Sequence, residues 1–135
     1  MELKEKYTID DLIAIMERLR QPDGCPWDKV QTHQSIKKSM IEETYEAIDA
    51  LDFGDDKAFA NELGDVLLQV VFHAQIARER GAFDFTEIMT HMGDKWYEFS
   101  AKAGFGTVAN DAAFVSQKLG AINPYEIEVE FYTTR

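Results

Sequence analysis

The segment MIEETYEAIDALDFGDDKAFANELGDVLLQVV, residues 40–71, reads as two helices joined by a short turn. Apolar residues recur at helical spacing on both sides of DFGD (52–55), whose glycine and aspartates favour a turn. Four carboxylates nevertheless fall on or beside the faces that this periodicity predicts to be buried: Glu43, Glu46, Glu62 and Asp65. Because an unpaired charge in an apolar interior is costly, these acids need a cation, a proton or a hydrogen-bond donor.

The short turn predicts that the four carboxylates meet at one level of a helical hairpin. Such a connection makes the two helices antiparallel neighbours, so residues equally far from its centre lie side by side. Glu46 and Glu62 are each eight residues from Gly54, and Glu43 and Asp65 are each eleven. At a rise of about 1.5 Å per residue, that level is roughly 12 to 16 Å from the turn. Two opposed i, i+3 pairs make a cage of oxygen ligands, which favours Mg²⁺ or Mn²⁺ over zinc or copper.

The four carboxylates are also compatible with roles that involve no metal. A pair of glutamates at i, i+3 is typical of a solvated helix face, and a structural bundle could pair its acids with Lys or Arg across a subunit interface. A di-iron bundle is disfavoured, because it uses Glu-x-x-His and none of the three histidines follows a glutamate at that spacing. We interpret His73 and Gln69 as structural, hydrogen-bonded in the core or across a subunit interface, and Cys25 as structural as well.

Helical periodicity continues through the first hundred residues. Capping boxes at Thr8 with Asp11 and at Asp84 with Glu87 predict the starts of the first and fourth helices, and Gly81 is suited to end the third. The second and third helices are predicted at about Thr32–Leu51 and Asp56–Arg80. The sequence therefore predicts an all-α fold, an antiparallel helical bundle of about four to five helices. Because the third helix is apolar on almost every side, we expect the bundle to oligomerise, at least as a homodimer.

The last third of the chain is less regular. Residues 111–119 favour a short helix, and EIEVEFY (126–132) alternates in the manner of an exposed strand. We predict one helical domain over residues 1–102 and a C-terminal segment, 103–135, that packs on or extends this domain.

Composition limits the classes of function. A formal charge of −11 argues against nucleic-acid binding, because that binding relies on Lys and Arg to neutralise phosphates. An acidic substrate would need metal cations to offset the same repulsion. The longest apolar run, VLLQVVF (66–72), is far shorter than the roughly 20 residues of a membrane span, so we expect no membrane association. The lone Cys25 fits a reducing compartment, and we expect a cytoplasmic location.

Three motifs together resemble a known family. GCPWD (24–28), EETYE (42–46) and ELGDVLLQVVFHA (62–74), in this order, are similar to the MazG-type nucleoside triphosphate pyrophosphohydrolases of the all-α NTP pyrophosphatase superfamily. The resemblance covers about residues 9–95. It implies a bundle that dimerises, often further to tetramers, and that converts an NTP and water to NMP and pyrophosphate with Mg²⁺. It implies Glu43, Glu46, Glu62 and Asp65 as metal ligands and Glu42 as an auxiliary catalytic acid.

The same resemblance implies how the substrate is bound, and where this chain departs from the pattern. Metal-activated water would attack the α-phosphorus, and Lys95 is the candidate for holding phosphate. From its own position on a loop stiffened by Pro26, Trp27 could stack on the base or line the cleft entrance, and it could equally close the bundle end. Family members continue after the lysine with an RHPHVF-like basic segment, whereas this chain reads WYEFSAKAGFGTV (96–108). The residues that could substitute are Lys37, Lys38 and Arg78. This divergence favours an alternative: a non-catalytic oligomerisation module, or a nucleotide or metal sensor, that retains the acidic cage.

Overall fold

Four helices account for most of residues 2–102, which are the residues that the computed structural model describes, with side chains through Phe99. Their bounds are α1 Ile9–Leu19, α2 Lys37–Phe53, α3 Asp56–Glu79 and α4 Phe85–Lys102. The predicted all-α class is confirmed for these residues. The short helix predicted at 111–119, the strand predicted at 126–132 and the proposed C-terminal segment 103–135 lie outside the described residues.

Local sequence explains where the helices begin and end. The predicted capping box at α1 is present: Asp11 N–H donates to Thr8 Oγ1, and Thr8 N–H donates to the Asp11 carboxylate. Gly54 ends α2 in the left-handed region at φ 82°, which a glycine adopts without strain. Asp55 then caps α3 by accepting from Ala58 N–H. The connection is Gly54–Asp55, two residues shorter than the predicted 52–55, because α2 continues to Phe53.

The predicted start of α2 is wrong by five residues, because the helix begins at Lys37 and not at Thr32. Thr32 and Ser35 exchange hydrogen bonds between their backbone N–H groups and each other's hydroxyl oxygens. Short polar side chains of this kind offer the backbone partners that compete with a continuing helix. Residues 33–36 therefore form turns, and they lead from the loop after α1 into α2.

The core lies where α1 and the start of α2 pack on the C-terminal half of α3. Its buried members are Met16, Ile36, Val71, Phe72 and Ile76. Because Ile36, at the start of α2, packs near the end of α3, the two helices run antiparallel. The N-terminal half of α3 is different: Leu63 is 48% exposed and Leu67 is 41% exposed. The single chain therefore leaves part of the apolar surface of α3 exposed, and its coverage by a second subunit stays a prediction.

The chain divides into two compact units, Met1–Ile88 and Met89–Arg135, and α4 contributes to both. In the first unit, Glu87 N–H donates to Asp84 at the start of α4, as predicted for its cap. In the second unit, Trp96 and Phe99 meet edge to face with ring centroids 5.6 Å apart. None of the helices within residues 2–102 combines the length and the apolar character that crossing a membrane requires.

Candidate metal centre

The hairpin of α2 and α3 brings the four predicted carboxylates together in the first unit. Glu43, Glu62 and Asp65 each offer an oxygen atom, and these atoms lie within 4.8 Å of one another. The Glu46 carboxylate is close enough to those of Glu43 and Glu62 to raise the pKa of both. The first three side chains are half-buried, and Glu46 is exposed at the margin. We call these four residues the acidic cluster.

The electrostatics of the acidic cluster favour a cation. Burial raises the pKa of Glu43, and the neighbouring carboxylates of Glu46 and Asp65 raise it further. The pKa of Glu62 is raised by the same causes in the same order. One oxygen of each of these two side chains, Oε2, is buried without a hydrogen-bond donor. An oxygen-only set with unpaired acceptors and mutual repulsion fits a hard divalent cation, which would supply the missing positive charge.

Glu42, the predicted catalytic acid, is placed outside the acidic cluster. It is exposed on α2, and its carboxylate lies 3.8 Å from Lys38 Nζ. As the residue before Glu43, it is turned by about 100° around the helix from that residue. Its carboxylate is therefore open to water beside the cluster.

Trp27 projects from a loop that is well fixed on the rest of the first unit. Its side chain is 78% exposed, so the prediction that it closes the end of the bundle is wrong for the single chain. The Trp27 carbonyl accepts from the Gln31 side chain, and Cys25 N–H donates to the Leu19 carbonyl. Cys25 itself is half-buried, as its structural interpretation requires.

Arg20 joins this loop to α3. Its side chain is only 6% exposed, and Nη1 donates to the carbonyl oxygens of Asp28 at 2.6 Å and Gln31 at 3.0 Å. Its Nε and Nη2 atoms donate to both carboxylate oxygens of Glu79, which lowers the pKa of that acid. The guanidinium also lies 5.7 Å from the centre of the Phe72 ring. Sequence patterns do not reveal this residue, because its partners are distant along the chain.

The basic residues considered for phosphate binding lie on three different helices. Lys95 lies on α4 in the second unit. Lys37 and Lys38 are exposed in the first turn of α2, and Lys38 lies close to Glu42. Arg78, near the end of α3, pairs with Glu17 at 3.1 Å.

The structure confirms that His73 is hydrogen-bonded, through a partner that helical periodicity did not indicate. The Nδ1 atoms of His33 and His73 lie 2.8 Å apart, and the two rings are parallel within 5°. Arg80 donates to His33 Nε2 at 3.1 Å. The count from Gly54 could have found the pair, because His33 lies 21 residues before it and His73 lies 19 after it.

The core hydrogen bond predicted for Gln69 is not formed by its side-chain oxygen among the described residues, and the alternative bond across a subunit interface stays a prediction. The side chain is buried, at 8% exposure, but its Oε1 atom has no hydrogen-bond partner within the described part of the chain.

Fold and site together define a class: an all-α domain whose helical hairpin carries a cage of carboxylates. Residues 31–100 match the MazG nucleotide pyrophosphohydrolase domain. The chain therefore belongs to the MazG nucleotide pyrophosphohydrolase domain family.

Three named relatives are similar to this chain. It is 56% identical over 86 residues to the nucleoside triphosphate pyrophosphohydrolase/pyrophosphatase MazG of Thermotoga maritima, and 52% identical over 88 residues to the nucleoside triphosphate pyrophosphohydrolase of Escherichia coli K12. Each of these matches covers 64% of this chain and 34% of the relative. The enzyme of the same name from Mycobacterium tuberculosis is 45% identical over 76 residues, 56% of this chain and 23% of that protein. The chain spans about a third of the length of the first two relatives.

Proposed function

We propose that this protein hydrolyses nucleoside triphosphates to nucleoside monophosphates and pyrophosphate with the help of Mg²⁺, which Mn²⁺ could replace. The observation that carries the proposal is the acidic cluster, in which three half-buried carboxylates bring oxygen atoms within 4.8 Å and two buried oxygens lack donors. Membership of the MazG family and the names of the relatives support the same reaction.

In this proposal Glu43, Glu46, Glu62 and Asp65 hold the cation. When bound, Mg²⁺ offsets phosphate charge and lowers the pKa of a coordinated water, which is the chemistry that attack on the α-phosphorus requires. Glu42 accepts the proton of the attacking water, for which its exposed carboxylate is available. Lys95 contributes positive charge to the leaving pyrophosphate. An acidic chain of net charge −11 can thereby bind an acidic substrate.

Trp27 is suited to bind the nucleobase. An exposed indole offers a flat apolar face, and stacking on any base is favourable irrespective of its hydrogen-bonding pattern. The loop that carries it is held by Arg20 and by its own backbone hydrogen bonds, so little flexibility is lost when a base stacks there. We assign Trp27 to binding of the nucleobase and Lys95 to binding of the phosphates.

The exposed apolar residues of the hairpin support a homodimer, with a tetramer as a further assembly. Tyr45, Ile48 and Leu51 on α2 are between 48% and 68% exposed, and Leu63 and Leu67 on α3 are similarly open. Residues of this kind, clustered on two packed helices, are typical of a surface that a second subunit covers. Nucleoside triphosphates are the proposed substrates, and the cytoplasm remains the predicted location.

The experiment that tests the function measures pyrophosphate release from a panel of nucleoside triphosphates, with Mg²⁺ and with EDTA. Glu43→Gln and Glu62→Gln should abolish Mg²⁺-dependent release, because each removes a charged ligand while keeping the side-chain shape. Asp49→Asn is the matched control, since Asp49 is an exposed acid of the same helix. Release that persists in EDTA, or that Asp49→Asn reduces as strongly, would refute the assigned site.

The alternative is a module that binds the cation or the nucleotide without turnover. The chain favours it at one point, because WYEFSAKAGFGTV stands where the RHPHVF-like basic segment is expected. Mg²⁺ binding that Glu62→Gln abolishes, without pyrophosphate release from any triphosphate, would establish this alternative.

A further inference from the structure

Gln69 is a buried polar residue that the proposed reaction does not use. Its side chain is 8% exposed, and Oε1 is shielded from water without any hydrogen-bond donor. Such an atom is costly, because it has lost its bonds to water and gained none in exchange. Within the described residues, the other buried side-chain atoms without partners are Oε2 of Glu43 and Oε2 of Glu62. All three are acceptors, so all three require something that donates or carries positive charge.

The helix places Gln69 on the same face as the carboxylates of α3. At 3.6 residues per turn, Gln69 is turned by only about 20° from Glu62 and by about 40° from Asp65, on the side between them. It lies one turn beyond Asp65, which is an axial rise of about 6 Å. Helical side chains lean toward the N-terminus of their helix, and for Gln69 this is the direction of the acidic cluster. This geometry therefore directs its long side chain toward the acidic cluster.

We infer that Gln69 is a further residue of the metal centre, whose Oε1 accepts a hydrogen bond from the water shell of the cation held by the acidic cluster. This inference rests on the proposed function. Mg²⁺ gives up its water reluctantly and usually keeps several molecules when protein carboxylates bind it. A neutral amide acceptor beyond the carboxylates can orient such a water without adding to the negative charge there. Gln69 is thus a positioning residue and not a direct ligand.

A second glutamine on α3 provides a matched control. Gln75 is also 8% exposed, but its Nε2 donates to Glu79 at 3.1 Å, so it already has a partner in the fold. Replacing either residue by Met keeps an unbranched side chain of similar length and removes its polar atoms. The two substitutions should therefore act in opposite ways on the metal-free protein.

The experiment measures Mg²⁺ affinity by calorimetry and the melting temperature in EDTA, both on the full chain. Gln69→Met should weaken Mg²⁺ binding by about tenfold, the lower end of the range for such outer residues, while the melting temperature in EDTA stays the same or rises. Gln75→Met should leave Mg²⁺ affinity unchanged and lower the melting temperature, because it leaves Glu79 with one donor fewer. Affinity for Mg²⁺ is read without turnover, so the result does not depend on enzyme activity.

Each other outcome overturns the inference. Unchanged Mg²⁺ affinity in Gln69→Met, with binding still abolished by Glu43→Gln, would remove Gln69 from the centre and leave the proposed function standing. Equal losses of melting temperature in both Met variants would show that Gln69 has a structural partner, and a change in oligomeric mass in Gln69→Met alone would place that partner in a second subunit. If the wild-type chain binds no Mg²⁺, the inference and the proposed metal dependence fail together.

Discussion

Replacing Arg20 by Met should cost about 3 kcal/mol of stability, because one buried side chain fixes the loop that carries Trp27. Arg20 gives two hydrogen bonds to backbone carbonyls, at 2.6 and 3.0 Å. Hydrogen bonds from a charged donor contribute roughly 1.5 to 3 kcal/mol each. The lower value for both gives about 3 kcal/mol, which allows for water reaching the freed carbonyls. The pair with Glu79, whose side chain is 40% exposed, adds at most about 1 kcal/mol.

Thermal unfolding followed by circular dichroism measures this effect. At this chain length, 1 kcal/mol corresponds to roughly 4 °C, so Arg20→Met should lower the melting temperature by about 12 °C. Arg18→Met, two residues before Arg20, is the matched control: its pair with Asp23 is exposed, at 47% and 77%, and its loss should cost less than about 1 kcal/mol. Equal effects of the two substitutions within about 1 kcal/mol would refute the assignment of Arg20 as the residue that fastens the loop.

Three further measurements test the electrostatics and the assembly. The pKa values of Glu43 and Glu62 are raised in the folded protein. In EDTA the folded state should therefore be more stable below pH 4.5, and it should lose this stability as the pH rises through the raised pKa values. Thermal scans should show this fall, and Mg²⁺ should remove it; a flat profile in EDTA would refute the repulsion. Arg80 donates to Nε2 of His33, so the hydrogen of the neutral His33 ring lies on Nδ1, which donates to Nδ1 of His73. Nitrogen NMR of the histidine rings should therefore show hydrogen on Nδ1 of His33 and on Nε2 of His73. Hydrogen on Nε2 of both rings would contradict this pairing. Burial lowers the pKa of His73 below 6.5. The stability that the neutral His73 ring gives the folded protein should therefore be lost as the pH falls from 6.5 through the lowered pKa. Light scattering should give the mass of a dimer for the wild type and of a monomer for Leu67→Glu. A monomeric wild type would refute the proposed dimer interface on the α2–α3 hairpin.

The sequence predicted those features that depend on short-range regularity. The caps at Thr8 and Asp84 follow from which side chains satisfy the free groups of a helix end. Convergence of the carboxylates followed from two regular helices and a short turn, because together these fix which residues face each other. No long-range information was required, which is why the acidic cluster could be predicted from the sequence.

The features that the sequence did not predict depend on contacts between distant residues. Arg20 and Glu79 are 59 positions apart, and no local pattern indicates that this arginine is buried. The start of α2 was predicted wrongly because the hydroxyl groups of Thr32 and Ser35 accept hydrogen bonds from each other's backbone N–H groups. Hydrophobic periodicity gives no information about such bonds. The unpaired oxygen of Gln69 was missed for a related reason: a buried glutamine usually has a partner, and only the structure shows that this oxygen has none among the described residues.

The two halves of α3 have different roles, and Gln69 lies at their boundary. After it, Val71, Phe72 and Ile76 are buried against α1 and the start of α2, so this half holds the fold together. Before it, Leu63 and Leu67 remain partly exposed, and the carboxylates beside them repel one another. Under the proposed function, a cation that neutralises the carboxylates and a second subunit that covers the leucines would each add stability to the first half. Truncation of Val71 or Phe72 should therefore lower the melting temperature equally in Mg²⁺ and in EDTA, whereas Glu62→Gln should lower it only in Mg²⁺.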